Sequence, residues 1–179
     1  MDFVSCSQAG QDAFVYERLV KPTNYLSGTF LDIGCGEPFE ISNSVALERL
    51  GWRGLLVDMD PVRVALCRQE RKNPVIEQDA TTIDWDAICK QYGLGKEIDY
   101  LSLDIDDQVG EAPKSMVVLR NLIAAGFIFR AITSEHNRYY LHDVVRDAQR
   151  QMLWEQGYEL FAGDVSDHDL EFEDWWVRS

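Results

Sequence analysis

Five short acid-bearing groups punctuate this chain, and they are its clearest chemical signal. Asp32-Ile33-Gly34-Cys35-Gly36-Glu37-Pro38 sets two glycines among carboxylates. Asp58-Met59-Asp60, Asp79-Ala80, Asp104-Ile105-Asp106-Asp107 and Glu135-His136-Asn137 follow in order. Glycines at G-x-G spacing let a backbone approach a ligand closely. Carboxylates accept hydrogen bonds and attract cations, but they repel phosphate. A single aspartate of this kind is usually a helix cap or a solvated loop residue, and Asp60, followed by Pro61, is read as a cap. Together the groups point to a ligand with positive charge and several hydroxyl or amine donors.

Gly34-x-Gly36 followed by Asp58 is near the spacing of a dinucleotide fingerprint. Phe39 stands where the third glycine would be, however, and Glu37 and Asp32 would repel a diphosphate. No Gly-Lys-Ser/Thr follows, which excludes a P-loop. S-adenosylmethionine (SAM) suits the pattern better, because it has no phosphate and its sulfonium and α-amino groups are cationic. Asp58 could accept from both ribose hydroxyls, Asp79 from the adenine amine, and the glycines could lie beside the methionine part.

The bulk composition agrees. Lys and Arg number 17 against 31 Asp and Glu, a formal net charge of −14. That opposes phosphate-led binding of nucleic acid. The 179 residues and 46% hydrophobic content are those of one ordinary folded domain. Cys6, Cys35, Cys67 and Cys89 match no zinc spacing and are expected to be reduced thiols. No apolar run approaches a membrane span and no signal peptide is evident, so a soluble cytoplasmic protein without membrane contact is expected.

The elements that must position the acidic groups alternate between strand and helix. A first helix is expected from a Ser7 cap to Val20. Strands are expected at Thr29 to Ile33, Gly54 to Asp58, Val75 to Gln78, Asp99 to Ile105 and Phe129 to Ser134. Helices are expected at Ser42 to Leu50, from the Asp60 cap to Lys72, from Asp84 to Tyr92, at Pro113 to Ala125 and at Leu141 to Gln156. Tyr158 to Val165 and Phe172 to Arg178 have only a short loop between them, which predicts an antiparallel hairpin at one sheet edge. The sum is an α/β fold: a Rossmann-like, doubly wound, mostly parallel seven-stranded sheet with an antiparallel C-terminal hairpin strand. Residues 1–179 are expected to form a single domain, 1–28 an N-terminal helical segment and 29–179 the core. Ligands of such sheets lie beyond the carboxyl ends of the strands, where all five acidic groups fall.

Four stretches resemble class I SAM-dependent methyltransferases and, more narrowly, the FkbM-type family: SQAGQD (Ser7 to Asp12), FLDIGCGEPFEISNSVALERLGWRGLLVDMDP (Phe30 to Pro61), IDYLSLDID (Ile98 to Asp106) and FEDWWV (Phe172 to Val177). The resemblance implies cofactor contacts at Asp32, Gly34 and Gly36, ribose binding by Asp58, and adenine contacts at Met59, Asp79 and Ala80. It places Asp104 near the transferred methyl and has Gln8 and Asp12 closing over the cofactor. It further implies O-methylation of a hydroxyl on a sugar, polyketide or other small metabolite. The family pattern has a glycine after the strand-four acids where this chain has Asp107.

An alcohol acceptor needs help to lose its proton. His136, with an ordinary pKa near 6.5, is one expected base, alongside Asp104 and Glu135. The other option is a divalent metal such as Mg²⁺ on Asp104 or Asp106 with Glu135 and Asn137, an arrangement similar to that of catechol-type O-methyltransferases. Arg138, Tyr139 and Tyr140 follow; the tyrosines either stack on a ring or pack a loop. With no large insertion to form a lid, the acceptor is bound by the N-terminal segment, by the loops after strands four and five, or by a second subunit in an oligomer. Two other readings stay open: a SAM-binding protein without catalysis, and an NAD(P)-binding protein.

Overall fold

The computed structural model describes residues 3–24 and 26–178. Met1, Asp2 and Ser179 at the ends of the expected domain, and Tyr25 in its N-terminal segment, lie outside the described residues. Seven strands form one sheet: β1 (Thr29–Ile33), β2 (Arg53–Asp58), β3 (Val75–Glu77), β4 (Glu97–Leu103), β5 (Ile128–Glu135), β6 (Glu159–Asp167) and β7 (Leu170–Val177). Their order is β3-β2-β1-β4-β5-β7-β6. The first five pair in parallel, whereas β7 runs antiparallel to both β5 and β6. The expected hairpin exists, but β7 is inserted between β5 and β6, so of its two strands only β6 lies at a sheet edge, with β3 at the other. Buried Trp176 on β7 explains the placement, since it joins the main core where an edge strand could not take it.

Strand alternation divides the core into two layers. Leu31, Ile33, Leu55, Val57, Leu101 and Ile132 meet α4 (Trp85–Gln91), α5 (Lys114–Ala124) and α7 (Asp143–Glu155) on one face. Phe30, Leu56, Tyr100 and Ala131 meet α1 (Gln11–Val15), α2 (Val45–Leu50) and α3 (Pro61–Glu70) on the other. Trp175 and Trp176 fall in different layers, as alternation requires.

Several boundaries differ from the sequence reading. Ser7 does not cap the first helix. Gly10, at φ +93°, precedes α1, which continues as a π-helical turn from Tyr16 to Val20. The buried Asp12 carboxylate instead ties down the approach, accepting from the Cys6 N–H at 2.7 Å and the Ser7 hydroxyl at 2.6 Å. α2 begins at Val45, because the Ser44 hydroxyl is drawn to Asp32; the Ser42 hydroxyl accepts from the Val45 N–H at 3.3 Å. β4 stops at Leu103. The expected helix from Leu141 is two pieces, α6 (Arg138–Leu141) and α7, separated by His142 at φ +56° and ψ −150°. No glycine or proline marks that break, so the pattern read straight through it.

Candidate active site

A cavity of about 410 Å³ opens at the carboxyl ends of β1, β2, β3, β4 and β5, and all five acidic groups reach its wall. That volume lies within the range of small-molecule sites. Its lining carries seven carboxylates (Glu37, Asp58, Asp60, Asp79, Asp104, Asp106, Glu135) against two cations, Arg63 and Lys114.

Local backbone geometry builds one end. β1 leads into Gly34, at φ +83°, where a Cβ would stand 1.7 Å from the Asp104 carbonyl oxygen. Only glycine therefore lets β1 and β4 end side by side. Gly36, at φ +58°, is different: a Cβ there would meet nothing within 4 Å. Its N–H donates to Asp58 Oδ2 at 3.0 Å, while the Asp60 N–H donates to Asp58 Oδ1 at 2.9 Å. Asp58 is thus oriented by two backbone donors, and each oxygen keeps acceptor capacity. Asp60 caps α3 as expected, accepting from the Val62 N–H at 2.8 Å. Asp79 accepts from the Thr81 N–H at 2.9 Å and the Thr81 hydroxyl at 2.7 Å, and these bonds hold its carboxyl below the usual range. Met59, exposed, and Ala80, buried, complete this wall.

Asp32 does not line the cavity. Its parity on β1 matches Phe30 and turns it under the loop toward α2 and α3. The Ser44 hydroxyl donates to it, and the Arg71 guanidinium donates to Ser44 Oγ at 2.9 Å. The same guanidinium reaches Glu48 at 3.2 Å and both Ser42 Oγ and the Pro38 carbonyl at 3.3 Å. Burial raises the Asp32 pKa, against the hydrogen bond from Ser44 and the charge of Arg71. The expected cofactor contact is corrected to a support for the loop, and Pro38 supplies a carbonyl to that support. Arg71 was missed by sequence reasoning; an arginine at the end of α3 with acids on neighbouring elements was the available signal.

The other end holds Asp104 and Glu135, hydrogen-bonded to each other. Burial pushes Asp104 up to about 6, with the Glu135 hydrogen bond opposing. Burial and then the charge of Asp104 push Glu135 well above the usual carboxyl range. Each carboxyl thus favours its protonated form more than a free carboxyl does, and the two titrate as a pair. Asp106 lies close enough to add to both shifts. Asp107, expected with these acids, instead caps α5: its carboxylate accepts from the Lys114 N–H, from the Ser115 hydroxyl and, at 3.2 Å, from the Ser115 N–H.

His136 does not line the cavity, and the expectation of a histidine base is corrected. It follows Glu135 directly, so its side chain leaves the sheet on the opposite face. There its ring is buried, Nδ1 accepts from the Arg138 N–H at 3.3 Å, and Nε2 lies 3.4 Å from Asp174. Arg150 also binds Asp174, at 2.7 and 2.8 Å. Among the described residues, His136, Asp164 and Asp174 are the one group of three or more His, Cys, Asp or Glu whose ligand atoms fall within 4.8 Å of one another, and Arg146 and Arg150 already pair with its two carboxylates. The Mg²⁺ ligand set expected at Asp104 or Asp106 with Glu135 and Asn137 does not converge in this way. Asn137 does not line the cavity, and Glu135 turns its hydrogen bond to Asp104.

Gln8 lines the cavity, with its amide donating to Asp167 at 2.9 Å. Asp12 does not. The Tyr140 hydroxyl donates to the Asp107 carbonyl at 2.9 Å, so this tyrosine packs the loop, whereas Tyr139 is half exposed. Cys35, Ile41, Arg63, Gln78 and Lys114 also line the cavity and carried no sequence signal that separates them from ordinary packing.

No protein-family model matches this chain, and neither does any curated protein. Solved structures do match in fold. Magnesium protoporphyrin IX methyltransferase from Synechocystis PCC 6803 with bound SAM superposes at a TM-score of 0.64 and 20% identity, covering 96% of this chain and 79% of that one. A TehB-like SAM-dependent methyltransferase from Corynebacterium glutamicum gives 0.58 at 15% identity, covering 94% and 88%. The human methyltransferase 10 domain containing protein gives 0.61 at 11% identity, covering 99% and 85%. The chain therefore has the Rossmann-like fold of SAM-dependent methyltransferases.

Proposed function

We propose that this chain is a methyltransferase that binds SAM in the acid-lined cavity and methylates a hydroxyl on a small, uncharged or cationic acceptor. The observation that carries the reading is the Asp104–Glu135 pair, two adjacent carboxyls at one end of a cavity whose other end presents Asp58 and Asp79. The residues fit the cofactor. Asp58 has acceptor capacity on both oxygens for a pair of ribose hydroxyls, Asp79 stays ionised for an amine donor, and the space beside Gly36 is open. SAM, when bound, supplies a methyl group on a positively charged sulfur.

The chain's own residues do the rest. Asp104, about half ionised near pH 6 and largely ionised at neutral pH, takes the acceptor proton. Glu135 keeps that carboxylate oriented by donating its own proton to it. Seven carboxylates around the cavity disfavour anionic acceptors, RNA included. The FkbM-type assignment rests on the quoted motifs, and the single-domain organisation and cytoplasmic location on composition and patterning. Among the described residues no helix is long and apolar enough to cross a membrane.

Calorimetry with S-adenosylhomocysteine tests the cofactor site. Asp58→Ala removes two charge-assisted hydrogen bonds, each worth about 1.5–3 kcal/mol, so affinity falls by roughly a hundredfold or more. Unchanged affinity rejects the ribose assignment, and binding of NADH in place of the homocysteine product rejects the cofactor. Binding without turnover on any hydroxylated acceptor pool leaves a SAM-binding protein without catalysis.

A further inference from the structure

The cavity wall contains a thiol that the proposed reaction does not use. Cys35 sits between Gly34 and Gly36 and lines the cavity. Directly behind it, Cys67 on α3 is fully buried, and its thiol donates to the Gly36 carbonyl at 3.4 Å. The two side chains pack in the same layer, close enough for each thiol to shift the other's pKa. The remaining cysteines are elsewhere: Cys89 packs in the opposite layer and Cys6 lies on the N-terminal segment.

We propose that Cys35 and Cys67 are a modification site, joined as a disulfide by a peroxide that enters through the cavity and is kept out when the cofactor fills it. Hydrogen bonding from Cys35 holds the Cys67 thiol below its ordinary value despite burial, with the Arg71 guanidinium assisting; Asp32 and Asp58 oppose. Bonding to Cys67 and burial push Cys35 up.

The chemistry balances. One sulfur, as thiolate, attacks a peroxide oxygen; the O–O bond breaks, the departing hydroxide takes the second thiol's proton and leaves as water, and a sulfenic acid remains. The second sulfur displaces the sulfenic hydroxyl, the S–S bond forms, and a second water leaves. Two thiols are oxidised and one hydrogen peroxide is reduced. The disulfide takes the Cys67 donor from the Gly36 carbonyl and turns Cys35 away from its place in the loop, so the Gly36 N–H no longer orients Asp58. That last consequence, loss of cofactor affinity, rests on the methyltransferase reading; the disulfide does not.

The test treats the full chain with hydrogen peroxide, with and without S-adenosylhomocysteine, then blocks free thiols and maps peptides without reduction. The expected product is a Cys35–Cys67 cross-linked peptide, reversed by dithiothreitol and absent from Cys67→Ser and Cys67→Ala, each first shown to melt cooperatively. Saturating S-adenosylhomocysteine prevents its formation in the time that converts the free protein. Sulfinic acid on Cys35 with Cys67 still free, or a reversible product confined to Cys6, overturns the proposal. So does an unchanged cross-linking rate in protein that calorimetry shows to be saturated. If calorimetry shows no binding to the reduced protein, the cofactor reading fails, and the peptide map still decides the cysteine site.

Discussion

Glu135-His136 on and just past β5 and Glu173-Asp174 on β7 are two adjacent pairs that the sheet splits between its faces. Glu135 and Glu173 are register partners on one face, whereas His136 and Asp174 meet on the other. Both sides bury acids, yet with opposite results. Glu173, sealed inside with hydrogen bonds from the Trp175 indole and Gln11, is pushed by burial well above the usual range, as Glu135 is. Asp174 is also penalised by burial, but Arg150, His136 and the Asp164 N–H bring it down to about 2. One face therefore holds carboxyls whose protonated form burial favours, and the other holds a fixed ion pair. Burial of a carboxyl does not by itself mark function; the presence or absence of a cation beside it decides.

The sharpest test of that contrast is Asp104→Asn. It removes the proposed base and should lower turnover by about 10²–10⁴-fold while S-adenosylhomocysteine still binds, measured by single-turnover methyl transfer and calorimetry. Arg150→Met acts on the other face. It strands the Asp174 charge and should cost about 3–5 kcal/mol in urea unfolding, with turnover per folded molecule unchanged. Equal effects of the two substitutions on turnover would erase the comparison.

Glu135→Gln refines it through pH. In the folded chain the Glu135 pKa lies above its ordinary 4.5, so folding favours its protonated form. The native state is favoured by this group below pH 4.5, and that advantage declines as pH rises toward the raised value. Glutamine carries no such cost, so the variant should gain stability over the wild type progressively above pH 4.5 in thermal melts. The acid limb of activity, set by Asp104 at about 6, should stay in place in Glu135→Gln, which keeps a donor, and move upward in Glu135→Ala, which loses it. The smallest effect is expected for His136→Gln: roughly 1 kcal/mol of stability from one altered hydrogen bond, and no change in the pH profile of transfer.

The glycine loop, the acids after each strand and the strand–helix alternation were all legible in the chain, because they depend on local rules: backbone freedom at glycine, capping by aspartate, and the period of buried side chains. Asp58 and Asp79 could be expected at the cavity in this way, because each follows a strand; Asp60 and Thr81, close in sequence, help to orient them, while the Gly36 N–H reaches Asp58 from the glycine loop. Asp32, His136 and Asp107 could not. Each has the residue type expected of a site, but its direction depends on strand parity or the path of the loop and on the partners the fold brings to it: Arg71 for Asp32, Asp174 for His136, and the start of α5 for Asp107. The position of β7 inside the sheet was likewise open to either edge until Trp176 found its layer. Sequence alone thus determined which chemistry the cavity could hold. Only the tertiary structure decided which acids keep a proton, because that depends on desolvation and on cations brought close by the fold.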